Sequence, residues 1–213
     1  MLKKLFFIIL SINAFCFSAK SQDEMLKAQS LYSSNFTIDG ITRTFTFYTP
    51  AEYGKKDQYP LVIFLHAAGE TGKTLIKTYG DLVNTKADST GCVIVYADAV
   101  AEKWNTSHAD KDSINDIGFF SILIDYFVQR YQCDAQQVYI TGFGNGADMA
   151  LSLACALPGK VKAIAPFFST SSQVCNIPAT IMVMNTKEIA PQTNKDTIIA
   201  AVWNFFMMAA NKQ

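Results

Sequence analysis

From residue 61 onward the chain alternates between short apolar runs and longer stretches in which apolar residues recur every three or four positions. The runs at 61–65, 92–96, 137–141, 161–168 and 180–184 predict strands, and the unbroken run at 61–65 suits a strand buried on both faces. The spaced stretches at 73–88, 116–131, 145–157 and 196–210 predict helices of 12 to 16 residues. Upstream, residues 42–48 alternate threonine with apolar or aromatic side chains, the period of a half-buried strand. Asp39-Gly40 separates this run from a shorter one at 35–38, so the two read as an antiparallel hairpin. A short polar helix is expected after Gln22. Strands alternating with helices imply right-handed crossovers and a mostly parallel sheet, an α/β fold with helices on both faces. Ligands of such sheets bind beyond the carboxyl ends of the strands. The loops after Leu65, Tyr96, Thr141, Phe168 and Met184 are therefore where chemistry is expected.

The first residues follow a different pattern. Lys3 and Lys4 precede an apolar run at 5–17, and Ala19-Lys20-Ser21 supplies small residues at a cleavage site. This predicts a secretory signal peptide over residues 1–21, followed by a single domain over 22–213, in the periplasm or outside the cell. At about 13 residues the run is too short to span a bilayer. Eighteen basic and 18 acidic residues give a net charge of zero. Removing three lysines with the signal peptide leaves 15 against 18, a net of −3. Neither value suggests a nucleic-acid partner. Export permits disulfides among Cys92, Cys133, Cys155 and Cys175. Cys92 sits in an apolar strand pattern and is expected in the core, and Cys155 with Cys175 is the preferred pair. No Cys/His cluster has metal spacing, so neither metal nor cofactor is expected.

The residues at 138–149 carry the most specific signal. Val138-Tyr139-Ile140-Thr141 runs directly into Gly142-Phe143-Gly144-Asn145-Gly146 and then a helix. Strand, tight turn and helix with small residues two positions either side of the centre form the layout of a nucleophile elbow, G-x-S-x-G. Here the centre is glycine.

With Arg43-Thr44-Phe45, Pro60 through His66, Val93 through Asp98, Trp104-Asn105, Asn115 through Phe120, Lys162 through Pro166 and Val202 through Phe206, in that order, the chain resembles a family of secreted esterases. That family includes polyhydroxybutyrate depolymerases and feruloyl and acetylxylan esterases. The resemblance implies an α/β-hydrolase-like fold with an antiparallel N-terminal hairpin. It also implies acyl transfer by a serine, a histidine base, an orienting acid and backbone oxyanion donors. The serine position is Gly144 and the acid position is Glu188. No histidine lies among the 14 residues between Glu188 and Trp203, so the last strand and its histidine loop are missing. His66 falls in the oxyanion-loop region as a structural residue, where Ala67 and Ala68 replace glycines. Ala67, Asn145, Trp104 and His108 are the candidate binding residues. Ser152 and Cys155 lie too far along the helix to replace the absent hydroxyl.

The expectation is thus an esterase-like protein, catalytically inactive, that retains a small acyl, aromatic or glycan ligand in the old cleft. The alternative is an active carboxylic-ester hydrolase with a non-standard site. A competing motif, Ala67-Ala68-Gly69-Glu70-Thr71-Gly72-Lys73-Thr74, fits a relaxed phosphate loop after a strand and before a helix. Export to a compartment poor in nucleoside triphosphates weighs against it.

Overall fold

In the computed structural model, which describes residues 31–106, 114–170 and 176–212, the early alternation becomes a hairpin. Strands β1 (Leu31–Ile38) and β2 (Ile41–Tyr48) pair antiparallel, from Leu31 opposite Tyr48 to Ile38 opposite Ile41. Asp39 and Gly40 both take positive φ, 51° and 75°, the conformation that lets a two-residue turn follow the strand twist. The apolar runs form β3 (Tyr59–Leu65), β4 (Val93–Ala97), β5 (Cys133–Phe143), β6 (Ala163–Phe167) and β7 (Met182–Val183). One seven-stranded sheet results, in the order β1-β2-β4-β3-β5-β6-β7. Only the hairpin and its junction with β4 are antiparallel; the remaining strands run parallel.

The spaced stretches form α1 (Gly72–Thr90), α2 (Asp116–Arg130), α3 (Asn145–Ala156) and α4 (Lys195–Ala210). Successive side chains of a strand point to opposite faces, and β3 shows why its run contains no polar residue. Leu61, Ile63 and Leu65 join the core shared with Phe119, Leu123, Met149 and Leu153 of α2 and α3. Val62 and Phe64 join the core shared with Leu75 and Val83 of α1 and Val202 and Phe206 of α4. Each such side chain contributes about 1.5–3 kcal/mol on burial.

Several elements differ from the pattern, among them β1, which begins at Leu31 and not at 35. β5 begins at Cys133, four residues early, because Tyr59 pairs with Cys133 before a register shift, and Asp134 accepts the Gln136 N–H in a local turn. β6 stops at Phe167, since Phe168 takes a φ of 58°. β7 pairs through Met182 and Val183 alone. It borders one neighbour, and among the described residues no strand lies outside it before the chain enters α4. The predicted signal peptide, the polar helix after Gln22, His108 and Cys175 lie outside the described residues. Cys92 and Cys133 are buried free thiols, the core role expected for Cys92.

A buried ion pair ties the antiparallel side to the helical layer. The Arg43 guanidinium on β2 meets the Asp116 carboxylate at the start of α2, both almost wholly buried, and lies 4.1 Å above the Phe119 ring centroid. The second Asp116 oxygen accepts the Asn105 N–H at 2.7 Å. Burial pushes the Asp116 carboxyl up, opposed by that N–H and by Arg43. Removing one partner of such a pair strands a buried charge, whereas removing both charges does not. Arg43→Met is therefore expected to cost about 3–5 kcal/mol in urea unfolding. Adding Asp116→Asn, which keeps an acceptor for Asn105, is expected to recover part of that loss.

Candidate functional site

At the end of β5 the chain turns through Gly144, with φ 53° and ψ −119°, and enters α3 at Asn145. The Gly144 N–H donates to the Phe167 carbonyl at 2.9 Å, and its own carbonyl accepts from Ala147 (2.9 Å) and Asp148 (3.1 Å). The flanking glycines are sterically required. A Cβ on Gly142 would overlap the Gly146 carbonyl, and one on Gly146 would overlap the carbonyls of Leu65 and His66. Gly144 is different, because a Cβ there meets only the Ala67 Cβ, at an ordinary 3.6 Å. The turn therefore keeps the shape that lifts a side chain above the sheet, and has room for one. With an L-residue this backbone would hold strain on the order of 1–3 kcal/mol; glycine adopts it freely.

Beside the turn, the loop after β3 holds the expected oxyanion region in a closed network. The Ala67 N–H donates to Glu70 Oε2 at 3.3 Å. A developing oxyanion needs free donors; this amide lies in the loop from which the elbow layout draws one of its two backbone donors, and it faces a carboxylate. The other is the N–H of Asn145, in the first helical position, where no carbonyl of the helix reaches it. The Glu70 charge and burial raise the Tyr79 hydroxyl pKa, burial being the larger effect. The Tyr79 ring stacks on Phe143 at 5.2 Å.

His66 is fully buried and committed at both ring nitrogens. Nε2 accepts the Ala99 N–H at 3.0 Å, and Nδ1 lies 2.8 Å from the Ala67 carbonyl. Its ring packs on Trp104, whose indole N–H donates to the His66 carbonyl at 3.0 Å. The Asn145 side chain clamps the Trp104 backbone on both sides, accepting from its N–H at 2.7 Å and donating to its carbonyl at 3.2 Å. His66 thus braces the loop. Trp104, expected to contact ligand, is only 1% exposed and packs in the core instead; the Asn145 amide, the other expected contact, is engaged in holding it.

Glu188 lies on the exposed segment after β7. His66 is the one histidine among the described residues, and it is spent on the loop, so Glu188 has no base to orient there. The hydroxyl of Ser152 is turned to the carbonyl of Asp148 at 3.1 Å. Two features had no clear sequence signal. Glu70 closes the Ala67 amide through a turn of three residues, and Ser169 donates to Asp148 Oδ1 at 2.6 Å across 21 residues.

The same geometry also weighs against the competing phosphate-loop motif. The Gly72 N–H at the start of α1 donates to Asp98 Oδ1 at 2.7 Å, and Thr44 holds the other oxygen at 2.8 Å. An internal carboxylate thus fills the place where a helix N-terminus would take a phosphate. Among the described residues no group of three or more His, Cys, Asp or Glu side chains is arranged to hold a metal ion. No helix among them is long and apolar enough to cross a membrane.

No protein-family model matches the chain. Over 151 residues it is 28% identical to a protein named as an esterase, NocK, of Nocardia uniformis subsp. tsuyamanensis. Over 139 residues it is 25% identical to feruloyl esterase D of Neurospora crassa. The matches cover 68% and 60% of this chain but 42% and 46% of those proteins, so the chain spans less than half the length of the curated relatives it matches. Among solved structures, an acetyl xylan esterase from Aspergillus awamori superposes with a TM-score of 0.55 at 20% identity, covering 71% of this chain and 59% of the other. The serine hydrolase FphF of Staphylococcus aureus superposes with 0.56 at 12% identity, covering 86% and 75%. The chain has the α/β-hydrolase fold.

The steric asymmetry of the elbow is directly measurable. In urea unfolding, Gly142→Ala and Gly146→Ala are each expected to lose more than about 3 kcal/mol, since backbone atoms must move. Gly144→Ala is expected to lose only about 1–3 kcal/mol, from strain alone.

Proposed function

We propose that the chain is an exported, esterase-like α/β-hydrolase domain that holds a small acyl, aromatic or glycan ligand over its elbow and does not cleave esters by the serine route. The observation that carries this reading is Gly144, an elbow of retained shape with no side chain to attack a carbonyl. Two further observations point the same way. His66 has no free ring nitrogen to act as base, and the Ala67 N–H is held by Glu70. Serine hydrolysis needs nucleophile and base to act as a unit, and loss of a triad member costs about 10⁴-fold or more in kcat. A second reading, an active carboxylic-ester hydrolase with a non-standard site, is favoured by the names of the relatives.

Assays with p-nitrophenyl acetate separate the two. The folded protein is expected to match the uncatalysed rate, and Gly144→Ser is expected to leave it there for want of a base. Turnover near 1 s⁻¹ or above by the unaltered protein would establish the second reading. Turnover that appears with Gly144→Ser and vanishes when His108→Ala is added would identify His108 as a base and overturn the claim that the base is lost.

The reading also includes removal of residues 1–21 as a signal peptide and pairing of Cys155 with Cys175. Thiol titration of the unfolded, unreduced mature chain is expected to find two reactive cysteines, Cys92 and Cys133, rather than four.

A further inference from the structure

Beyond the carboxyl ends of β6 and β7 lies a cleft of about 700 Å³ to which neither Gly144 nor Ala67 contributes. The volume falls within the usual range for small-molecule sites. Phe168, Met184 and Ile189 supply apolar walls, with Leu151 of α3 on one side. Phe168 is the unusual member. A bulky residue at a φ of 58° is an outlier, and such outliers gather at ligand sites, where the surrounding structure over-determines them. The Phe168 ring is held in place from the core side by Phe167 and Phe143, with centroids 6.1 and 6.5 Å away.

The polar groups around this cleft divide sharply. Thr186 donates its hydroxyl to the Pro166 carbonyl, and Ser169 donates to Asp148; both are committed. Asn185 Oδ1 accepts the Lys187 N–H at 3.2 Å, which fixes the amide and leaves its NH₂ group as a donor. The Lys187 ammonium has no hydrogen-bond or ion-pair partner among the described residues. The uncommitted side-chain groups are thus both donors, one of them cationic, at the rim of an apolar cleft.

We infer that this cleft binds a small monocarboxylate with an aryl or medium-chain alkyl body, its carboxylate on Lys187 and Asn185 and its body against Phe168, Met184 and Ile189. The inference goes beyond the proposed function, because the cleft includes neither Gly144 nor Ala67 and the inference stands whether or not the elbow has chemistry. Charge-assisted hydrogen bonds are about twice as strong as neutral ones, so the headgroup decides between otherwise similar ligands.

Calorimetric titration of the folded protein with 4-phenylbutyrate and with neutral 4-phenylbutanol tests this. Saturable binding of the acid, at least about tenfold tighter than the alcohol, is expected. Lys187→Met is expected to abolish that preference while leaving the alcohol's affinity unchanged, and Phe168→Ala to weaken both ligands. Equal binding of acid and alcohol, no saturable binding, or an unaltered preference in Lys187→Met would overturn the inference. Amide and methyl NMR shifts on the unaltered protein give a reading that needs no variant. Perturbations centred on Phe168, Met184 and Ile189 support the site. Perturbations centred on Ala67 and Gly144 sink it while leaving the proposed function standing.

Discussion

At Gly146 the start of α3 meets the carbonyls of Leu65 and His66, and at Gly142 the end of β5 meets the carbonyl of Gly146, closer than any side chain would permit. This double approach locks the ends of the two central strands, β3 and β5, to α3, the helix that follows β5. Much of the surrounding order depends on it. Position 144 is held in a left-handed turn whose N–H reaches the end of β6. The carbonyl of His66, fixed by the same contact, receives the Trp104 indole, and Asn145 receives the Trp104 backbone. Asn105 then passes the connection to Asp116 and so to the buried Arg43. A chain of hydrogen bonds thus runs from the elbow to the antiparallel edge of the sheet.

That dependence explains how the turn keeps its shape with glycine at its centre. The close approach is a packing requirement of the fold, satisfied by Gly142 and Gly146, and it is indifferent to the residue between them. The side chain at 144 matters only to a reaction. Glycine there adopts the turn without the backbone strain that an L-residue would carry. In this chain the neighbouring amide of Ala67 faces a carboxylate and the loop histidine serves as a brace. These arrangements stabilise the loop and oppose the build-up of negative charge that acyl transfer demands.

The far side of the sheet has a different character. β7 pairs over two residues and is followed directly by the approach to α4, so the ends of β6 and β7 border open space. Phe168, turned by its positive φ, forms one wall of the resulting cleft. At its carboxyl edge the α/β-hydrolase frame therefore carries a cleft beside the short strand, separate from the glycine-centred elbow.

The strands, helices and their order were legible in the sequence, because burial on one or both faces leaves a period of two, an unbroken apolar run or a period near 3.6. The vacancy at Gly144 and the lack of a histidine after Glu188 were equally legible, since each is a matter of which residue stands where in a recognisable order. Tertiary structure alone decided the rest. That Asp98 fills the start of α1, that Glu70 holds Ala67, that Trp104 faces the core and that Arg43 finds Asp116 all depend on groups brought together from separate segments. Periodicity records that a side chain is buried but carries no information about which partner it meets there. That residue 144 is glycine is read from the sequence, whereas the contacts that hold the Ala67 amide, His66 and Trp104 are decided by segments that meet only in the folded chain.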